Sequence, residues 1–238
     1  MKFSLCIPMY NESSIIEDTA RQLSDYMQAN FDDYEIIFSN DGSKDGCDKL
    51  VEQMHLPSVR VVGYEQNRGK GYAVRTAMLA AKGDYVMFTD ADLAYGVEVI
   101  GAIWNHDQSD TTEGKVILGS RAIHPDGYSG YTPLRRLMSK VYVAVLGLVG
   151  GFRLSDSQCG CKAFSQKAAK EIFRRCEVNG FSFDFEAILW AEKLGFPIAE
   201  FPVRIVNHRE SKIHVLRDSV RMLRSVRKIR NRVRKQSV

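Results

Sequence analysis

The sequence has few cysteines, and none of them forms a recognisable framework. Its 238 residues include five cysteines, an odd number without disulfide-scaffold spacing, which favours a reducing compartment. Cys159 and Cys161 are one residue apart and have no partner pair, so a zinc knuckle is not expected there.

Long hydrophobic runs are also missing. The longest, 141–152, contains three glycines and falls well short of the ~20 residues that span a bilayer. The amino-terminal segment turns polar too early for a signal peptide. We therefore expect a cytoplasmic protein that is at most peripheral on the cytoplasmic face of a membrane.

Two common phosphate-binding motifs are absent. No G-x-G-x-x-G follows the first predicted strand, which argues against a dinucleotide-dependent dehydrogenase. The segment NRGKG at 67–71 lacks the glycine spacing of a Walker loop, and Tyr72 stands where that loop has serine or threonine. Because the segment opens a predicted helix, it could still hold a phosphate at the helix N-terminus.

Positive charge is concentrated at the carboxyl end. The net charge is +4, and from Arg217 onward there are nine basic residues and one acid, so the rest of the chain is slightly acidic. Apolar residues recur there at steps of three and four, as on one helix face: Ile213, Leu216, Val220, Leu223, Val226, Ile229 and Val233.

A basic amphipathic helix over 213–238 is typical of contact with a membrane surface. Packing on the chain's own domain explains the same pattern equally well. Nucleic acid is not expected as a partner, although a membrane- or nucleic-acid-binding protein acting through the tail is an alternative of another class.

Short apolar segments alternate with helical ones. Strands are predicted at 2–7, 34–39, 59–64, 85–89, 116–121 and 198–206. Helices are predicted after a capping box of Ser14 and Glu17, and at 47–54, 71–81, 133–149, 166–176 and 184–194. The alternation predicts an α/β fold with a Rossmann-like, mostly parallel central sheet and helices on both faces. Pro202 suggests an edge or bulge position for the last strand, and no linker divides 1–212.

Polar loops follow the predicted strands. PMYNE, NDGS and DADLAY all fall at strand carboxyl ends, where open α/β sheets bind ligands. If the chain stays extended through Ala91, Asp90 and Asp92 point the same way. Two adjacent carboxylates repel unless a cation lies between them, and hard oxygen ligands suit Mg²⁺ or Mn²⁺ on a substrate diphosphate.

Nine motifs together resemble a known family. They are IPMYNE (7–12), NDGSKDG (40–46), NRGKGYAVRTAM (67–78), GDYVMFTDADL (83–93), GSR (119–121), RRLMS (135–139), DSQCGCKAF (156–164), FSFDFE (181–186) and HRESK (208–212). Their order is similar to that of the family 2 inverting glycosyltransferases, in the branch that glucosylates or mannosylates polyprenyl (dolichyl or undecaprenyl) phosphate. The resemblance implies a GT-A fold over 1–212.

The resemblance also implies roles for individual residues. The nucleotide of a UDP- or GDP-hexose would be bound by Pro8, Tyr10, Glu12, Asp41, Lys70 and Asp90. Asp90 and Asp92 would hold the metal, while Arg121, Arg135, Ser139, Arg209 and Lys212 would bind the acceptor phosphate. Gln158 and the 156–160 loop would face the sugar, and Asp92, Arg121, Asp156 and Gln158 are the expected catalytic residues.

The acceptor determines which chemistry is needed. A lipid phosphate is already an anionic nucleophile, so placement and charge neutralisation are sufficient. A glycan hydroxyl, the alternative within the same family, would need a base, for which Asp156 and Asp184 are candidates that could equally hold loops.

Two residues depart from the family pattern: Ala94 stands where glutamine is common, and Cys161 replaces an aromatic, which would shrink a wall of the pocket. The oligomeric state is open.

Overall fold

The computed structural model of the chain describes residues 1–109, 114–207 and 215–237. Strands in these ranges are β1 (Phe3–Met9), β2 (Tyr34–Asp41), β3 (Val59–Tyr64), β4 (Tyr85–Thr89), β5 (Val116–Ser120), β6 (Cys161–Ser165) and β7 (Ile198–Pro202). Helices are α1 (Ile16–Asn30), α2 (Cys47–Gln53), α3 (Lys70–Ala80), α4 (Glu98–Ser109), α5 (Pro133–Gly150), α6 (Gln166–Arg175), α7 (Phe183–Lys193) and α8 (Val215–Lys235).

All seven strands form one sheet in the order β3-β2-β1-β4-β6-β5-β7. Only β6 runs antiparallel to its neighbours, so the prediction of a mostly parallel sheet is confirmed. Every residue of β1 is buried, as expected of a central strand covered on both faces. β7 lies at an edge, which confirms the interpretation of Pro202, although the strand ends there rather than at 206.

Two apolar cores lie on opposite faces of this sheet. Alternate β1 side chains point to opposite sides, so Cys6 joins one core and Leu5 the other. Side chains of α3, α6, α7 and α8 fill the first core, and those of α1, α2 and α4 fill the second. Helices therefore cover both faces, as predicted.

The predicted capping box at the start of α1 is wrong. Ile15 is the N-cap residue and no side chain caps the helix, so Ser14 and Glu17 form no capping box. Instead, the amides of Ile15 and Ile16 both donate to the Glu12 carbonyl, forming a turn before the helix. Ser13 in this turn donates its amide to Asp45, which ties the turn to the loop after β2.

The first strand is longer than predicted, because Pro8 does not end it. β1 pairs with β2 through Pro8 and Met9, but with β4 only as far as Cys6. Pro8 therefore lies where β1 has a neighbour on one side only, and there a missing N–H is tolerated.

The sequence patterns do not predict α4 or β6. β6 is short, follows a turn-like segment and contains Lys162, which is 1% exposed. A charged residue inside a five-residue strand conceals the apolar pattern that predicts strands.

The described carboxyl-terminal part of α8 packs on the domain. Val226, Ile229 and Val233 are buried in the first core. Arg232 pairs with the buried carboxylate of Glu186, and the Lys193 ammonium binds carbonyls at the end of the helix. Domain packing thus holds for 225–237, while the predicted boundary at 212/213 lies outside the described residues.

Candidate active site

Loops from five strands meet at one edge of the sheet. The parallel strands β1, β2 and β4 deliver residues 10–15, 42–46 and 90–97 to their carboxyl edge. Antiparallel β6 begins opposite the end of β4, with Cys161 paired to Thr89, so the 156–160 loop enters at the same edge. β5 runs parallel to β4 and ends one residue before Arg121. The shared pocket predicted from the sequence therefore has a structural basis.

Asp90 and Asp92 share one counter-charge. The Lys70 ammonium, at the first residue of α3, lies 2.6 Å from Asp90 Oδ1. Burial alone would lower the pKa of Lys70, but Asp90, Asp184 and Asp92 together raise it above its usual value. Lys70 therefore contacts Asp90 directly and also lies in the electrostatic field of Asp92 and Asp184.

The expectation that Asp90 and Asp92 point the same way along an extended chain is wrong, because the chain does not stay extended through Ala91. β4 ends at Thr89, and the amide of Leu93 donates to the Asp90 carbonyl in a tight turn. Leu93 has a φ of 46°, in the left-handed region. The Asp92 carboxylate accepts the amide of Ala94, so it is held by this turn and not by strand geometry.

Gly160 fits directly against the Asp90 carboxylate. A Cβ at residue 160 would lie 2.2 Å from Asp90 Oδ2. Any larger residue would have to displace Asp90, so the glycine in CGC is explained by close approach to the carboxylate.

A buried ion pair lies next to this cluster. The Lys162 ammonium on β6 is 2.6 Å from Asp184 Oδ1 on α7, and Lys162 also donates to the Cys159 carbonyl. Burial raises the pKa of the Asp184 carboxyl, and the ammoniums of Lys162 and Lys70 only partly offset that effect. Lys162 was not singled out in the sequence, although a lysine in an otherwise apolar strand is a usable signal.

Asp41 organises the loop before α3. Its carboxylate accepts the Tyr64 hydroxyl at 2.6 Å, the Arg68 amide at 2.8 Å, and the Gly69 amide and Asn67 side chain at 2.9 Å. A buried carboxylate with four donors is fully satisfied. A direct nucleotide contact by Asp41 stays a prediction.

The glycines of NRGKG serve close packing. A Cβ on Gly69 would lie 2.6 Å from the Asn179 carbonyl oxygen, and one on Gly71 would lie 2.6 Å from the Val178 carbonyl oxygen. The loop thereby seats Lys70 beside Asp90 without needing a bound phosphate to explain its glycines.

The other predicted nucleotide residues lie on the first loop. Tyr10 is 44% exposed, Glu12 is half-buried, and Pro8 is buried within β1. Asn11 joins this loop to the next: its amide donates to Ser43 Oγ and its side chain accepts the Lys44 amide.

Arg121 and Asp156 form a buried bidentate pair. Nε lies 2.6 Å and Nη2 3.0 Å from the two carboxylate oxygens, and the Arg121 amide donates to the same group. Burial would raise the pKa of Asp156, but the Arg121 charge and hydrogen bonds hold it below its usual range. Arg121 Nη1 is instead 3.3 Å from the Tyr131 hydroxyl.

Glu200 on β7 fixes the loop that carries Asp156, and sequence reasoning missed it. Its carboxylate accepts the Ser155 amide at 2.9 Å, the Ser155 hydroxyl at 2.6 Å and the Asp156 amide at 3.1 Å. Ser155 also bonds Ser120, the residue before Arg121. Glu200 lies in a segment where only apolar residues suggested structure.

The remaining acceptor-side residues are only partly described. Ser139 lies on the α5 face that carries buried Val143 and Leu146 on later turns, and Gln158 is half-buried. The side chain of Arg135, and Arg209 and Lys212 altogether, lie outside the described residues.

The chain leading to Arg209 is nevertheless anchored at the site. The amides of Val206 and Asn207 donate to the Ala94 carbonyl, and the Asn207 side chain donates to the Leu93 carbonyl.

The expectation for Cys161 is wrong. Its side chain is 0% exposed and lies in the second core, because residue 161 begins β6 instead of lining a pocket. Among the described residues, no group of three or more His, Cys, Asp or Glu side chains could hold a metal. The fit of a divalent ion to this site therefore rests on the two hard carboxylates that share Lys70, with further oxygens left for a ligand and water to supply.

A comparison of the sequence with family profiles decides the classification: the profile described as glycosyl transferase family 2 matches residues 4–173. The chain belongs to glycosyl transferase family 2. The match covers Lys70, Asp90 and Asp92 and both residues of the Arg121–Asp156 pair, and it ends before Asp184. It also establishes the chain as a glycosyltransferase, as the motifs predicted.

Curated relatives support the same branch. A dolichyl-phosphate beta-glucosyltransferase of Dictyostelium discoideum is 30% identical over 244 residues, covering 96% of this chain and 74% of that protein. A dolichyl-phosphate beta-glucosyltransferase of Saccharomyces cerevisiae is 29% identical over 241 residues, covering 94% of this chain and 72% of that protein.

Solved structures support the GT-A fold. Glucosyl-3-phosphoglycerate synthase of Mycobacterium tuberculosis, crystallised with Mn²⁺, UDP and phosphoglyceric acid, superposes with a TM-score of 0.69 at 19% identity. The superposition covers 100% of this chain and 80% of that one. At this identity the likeness concerns the fold alone.

Proposed function

We propose that this family 2 enzyme transfers glucose from UDP-glucose to a polyprenyl phosphate such as dolichyl phosphate, with inversion. The observation that carries the proposal is the cluster of Asp90 and Asp92 around Lys70 at the sheet edge. The names of the relatives support glucose and the lipid phosphate, and the UDP complex of the structural neighbour supports the nucleotide.

In this proposal Asp90 and Asp92 hold a Mg²⁺ or Mn²⁺ ion. When bound, such an ion neutralises charge on the departing diphosphate. Lys70 would then leave Asp90 and turn toward the diphosphate, where its positive charge stabilises the negative charge that develops on the leaving group. Gly160 leaves room for the Asp90 carboxylate, and Asp41 holds the loop from which Lys70 extends.

The acceptor is proposed to enter beside Arg121. Asp156 takes up Nε and Nη2, so the guanidinium keeps its orientation. Nη1 contacts the Tyr131 hydroxyl and carries a second N–H that can meet an acceptor phosphate. Arg135, Ser139, Arg209 and Lys212 are proposed to add to this phosphate site, and Gln158 to face the sugar. Tyr10, Pro8 and Glu12 are proposed at the nucleotide.

The described carboxylates favour an anionic acceptor over a hydroxyl. Both candidate bases are engaged: Asp156 with Arg121, and Asp184 with Lys162. A carboxylate whose pKa is held low by a guanidinium is a poor proton acceptor. A lipid phosphate needs no proton removed, so Asp156 is proposed to position Arg121 and not to act as the base.

A transfer assay tests the proposal. Purified enzyme, labelled UDP-glucose, Mn²⁺ and dolichyl phosphate should yield an organic-soluble glucosyl lipid, and Asp92→Ala should abolish it. Replacing the acceptor by dolichol, which has a hydroxyl but no phosphate, should give no product. Transfer to dolichol or to a glycan, without transfer to dolichyl phosphate, would contradict the proposed acceptor.

A further inference from the structure

Helix α5 carries an apolar stripe that faces solvent. Leu134, Leu137, Val141 and Leu148 are 67%, 59%, 55% and 82% exposed. Their spacings of three, four and seven residues place them on one side of the helix. From the first to the last, the stripe is about 21 Å long at 1.5 Å per residue.

The opposite side of α5 is anchored in the protein. Val143 and Leu146 are buried, and Leu146 belongs to the first core. The orientation of the helix is thus fixed by packing, and the stripe is not a product of a loosely placed segment. Single exposed leucines are ordinary, whereas a contiguous apolar stripe marks an interaction surface.

Basic side chains flank the stripe. The segment 133–150 contains three basic residues and no acid. Lys140 is exposed three residues after Leu137, beside the stripe. Arg153 is exposed just beyond the helix.

Helix α8 extends the same charge. It packs against α5, and a Cβ on Gly151 would lie 3.7 Å from an Arg230 guanidinium nitrogen. Arg227 and Lys228 on α8 are exposed, and 219–237 contains no acid. The surface therefore combines apolar side chains with charge of one sign.

We propose that the exposed face of α5 docks on an anionic lipid bilayer. Such a bilayer supplies apolar chains for the stripe and negative headgroups for its basic flank. A second copy of the chain is disfavoured as the occupant, because a two-fold contact across this face would bring its basic flanks together without acids between them.

The assignment changes which element provides the apolar contact. The carboxyl-terminal stripe of α8 is used inside the protein, since Val226, Ile229 and Val233 are buried. α5 supplies the apolar contact instead, and α8 adds charge beside it. The inference deepens the proposed function, since a polyprenyl phosphate resides in a bilayer.

The test measures vesicle binding without donor or acceptor. The full chain is sedimented with phosphatidylcholine vesicles, with and without phosphatidylglycerol. Leu137→Gln/Leu148→Gln should lower the partition coefficient at least ~100-fold, since each leucine withdrawn from the bilayer costs about tenfold or more. Leu79→Gln, on α3 and 36% exposed, is the matched control and should bind like the wild type.

Charge is tested separately. Lys140→Gln/Arg153→Gln should weaken binding to phosphatidylglycerol vesicles and leave binding to neutral vesicles unchanged. Glutamine is nearly as good a helix former as leucine and sits at exposed positions, so circular dichroism should show all variants folded.

Three results would overturn the inference. One is unchanged vesicle binding by the leucine double variant. Another is a wild-type dimer in sedimentation velocity that becomes monomeric in this variant, which would assign the face to a second copy. The third is binding that appears only when the vesicles contain polyprenyl phosphate, which would assign the affinity to the acceptor site.

Activity separates this inference from the proposed function. With a short, water-soluble polyprenyl phosphate the leucine double variant should turn over like the wild type, and with vesicle-embedded acceptor it should be slower. If the wild type transfers glucose to neither acceptor, the proposed function is rejected. The vesicle-binding result then tests the membrane inference independently.

Discussion

Replacing Asp156 by asparagine should destabilise the protein strongly. Asp156 is 0% exposed and its partner Arg121 is 13% exposed, with Nε to carboxylate at 2.6 Å. The amide keeps the shape but removes the charge, so the guanidinium is left buried without a counter-ion. Breaking one side of such a pair costs about 3–5 kcal/mol.

Urea unfolding provides the measurement and an internal control. Glu171→Gln removes the partner of Arg175 in a half-exposed pair one helical turn apart, and should cost only about 0.3–0.5 kcal/mol. Arg121→Gln combined with Asp156→Asn should be less damaging than the sum of the two single changes, because no lone charge remains. A loss below about 1 kcal/mol for Asp156→Asn would refute the reasoning.

The same pair has a pH signature. Because folding lowers the pKa of Asp156, the stability it contributes is present above the pKa of the unfolded chain and is lost as pH falls through the folded value. The stability gap between wild type and Asp156→Asn should therefore narrow on acidification. A gap that stays constant down to the lowest pH at which the protein folds would contradict the assigned pKa shift.

Two further predictions concern the Asp90 cluster. Lys70→Met removes the ammonium that lies 2.6 Å from Asp90. In calorimetry, Mn²⁺ alone should therefore bind about tenfold more tightly, and UDP-glucose should bind more weakly. Weaker Mn²⁺ binding would contradict the view that Lys70 competes with the ion for this carboxylate. Gly160→Ala puts a Cβ 2.2 Å from Asp90 Oδ2 and should weaken Mn²⁺ binding tenfold or more. Gly180→Ala is the control and should leave Mn²⁺ binding unchanged, because no atom lies within 4 Å of its Cβ. Equal effects of the two variants would show that close approach to Asp90 is unimportant.

Local patterns were sufficient for the sheet edge and its loops. Strands at 34–39 and 85–89 were apolar enough to be recognised, and parallel topology then dictates where their polar ends meet. Asp90 and Asp92 were found in this way, although the turn that orients them, with Leu93 in the left-handed region, has no sequence signature strong enough to predict.

Local sequence patterns do not predict ion pairs between residues that are far apart in the chain. Arg121 pairs with Asp156, 35 residues further along the chain. Lys162 pairs with Asp184, and Lys162 lies on β6, a strand that the apolar pattern does not predict because of this charged residue. Both pairs depend on β6 running antiparallel, which brings its loop to the active edge. The family resemblance identified Asp156, but only tertiary contacts reveal that it holds an arginine.

The central claim is that Asp90 and Asp92 hold a divalent ion that carries the nucleotide diphosphate. Calorimetric titration of UDP-glucose into wild type and Asp92→Asn, each with and without Mn²⁺, tests it most directly. The account predicts Mn²⁺-dependent binding by the wild type and no gain from Mn²⁺ in the variant. Mn²⁺-dependent binding of equal strength in Asp92→Asn would contradict it.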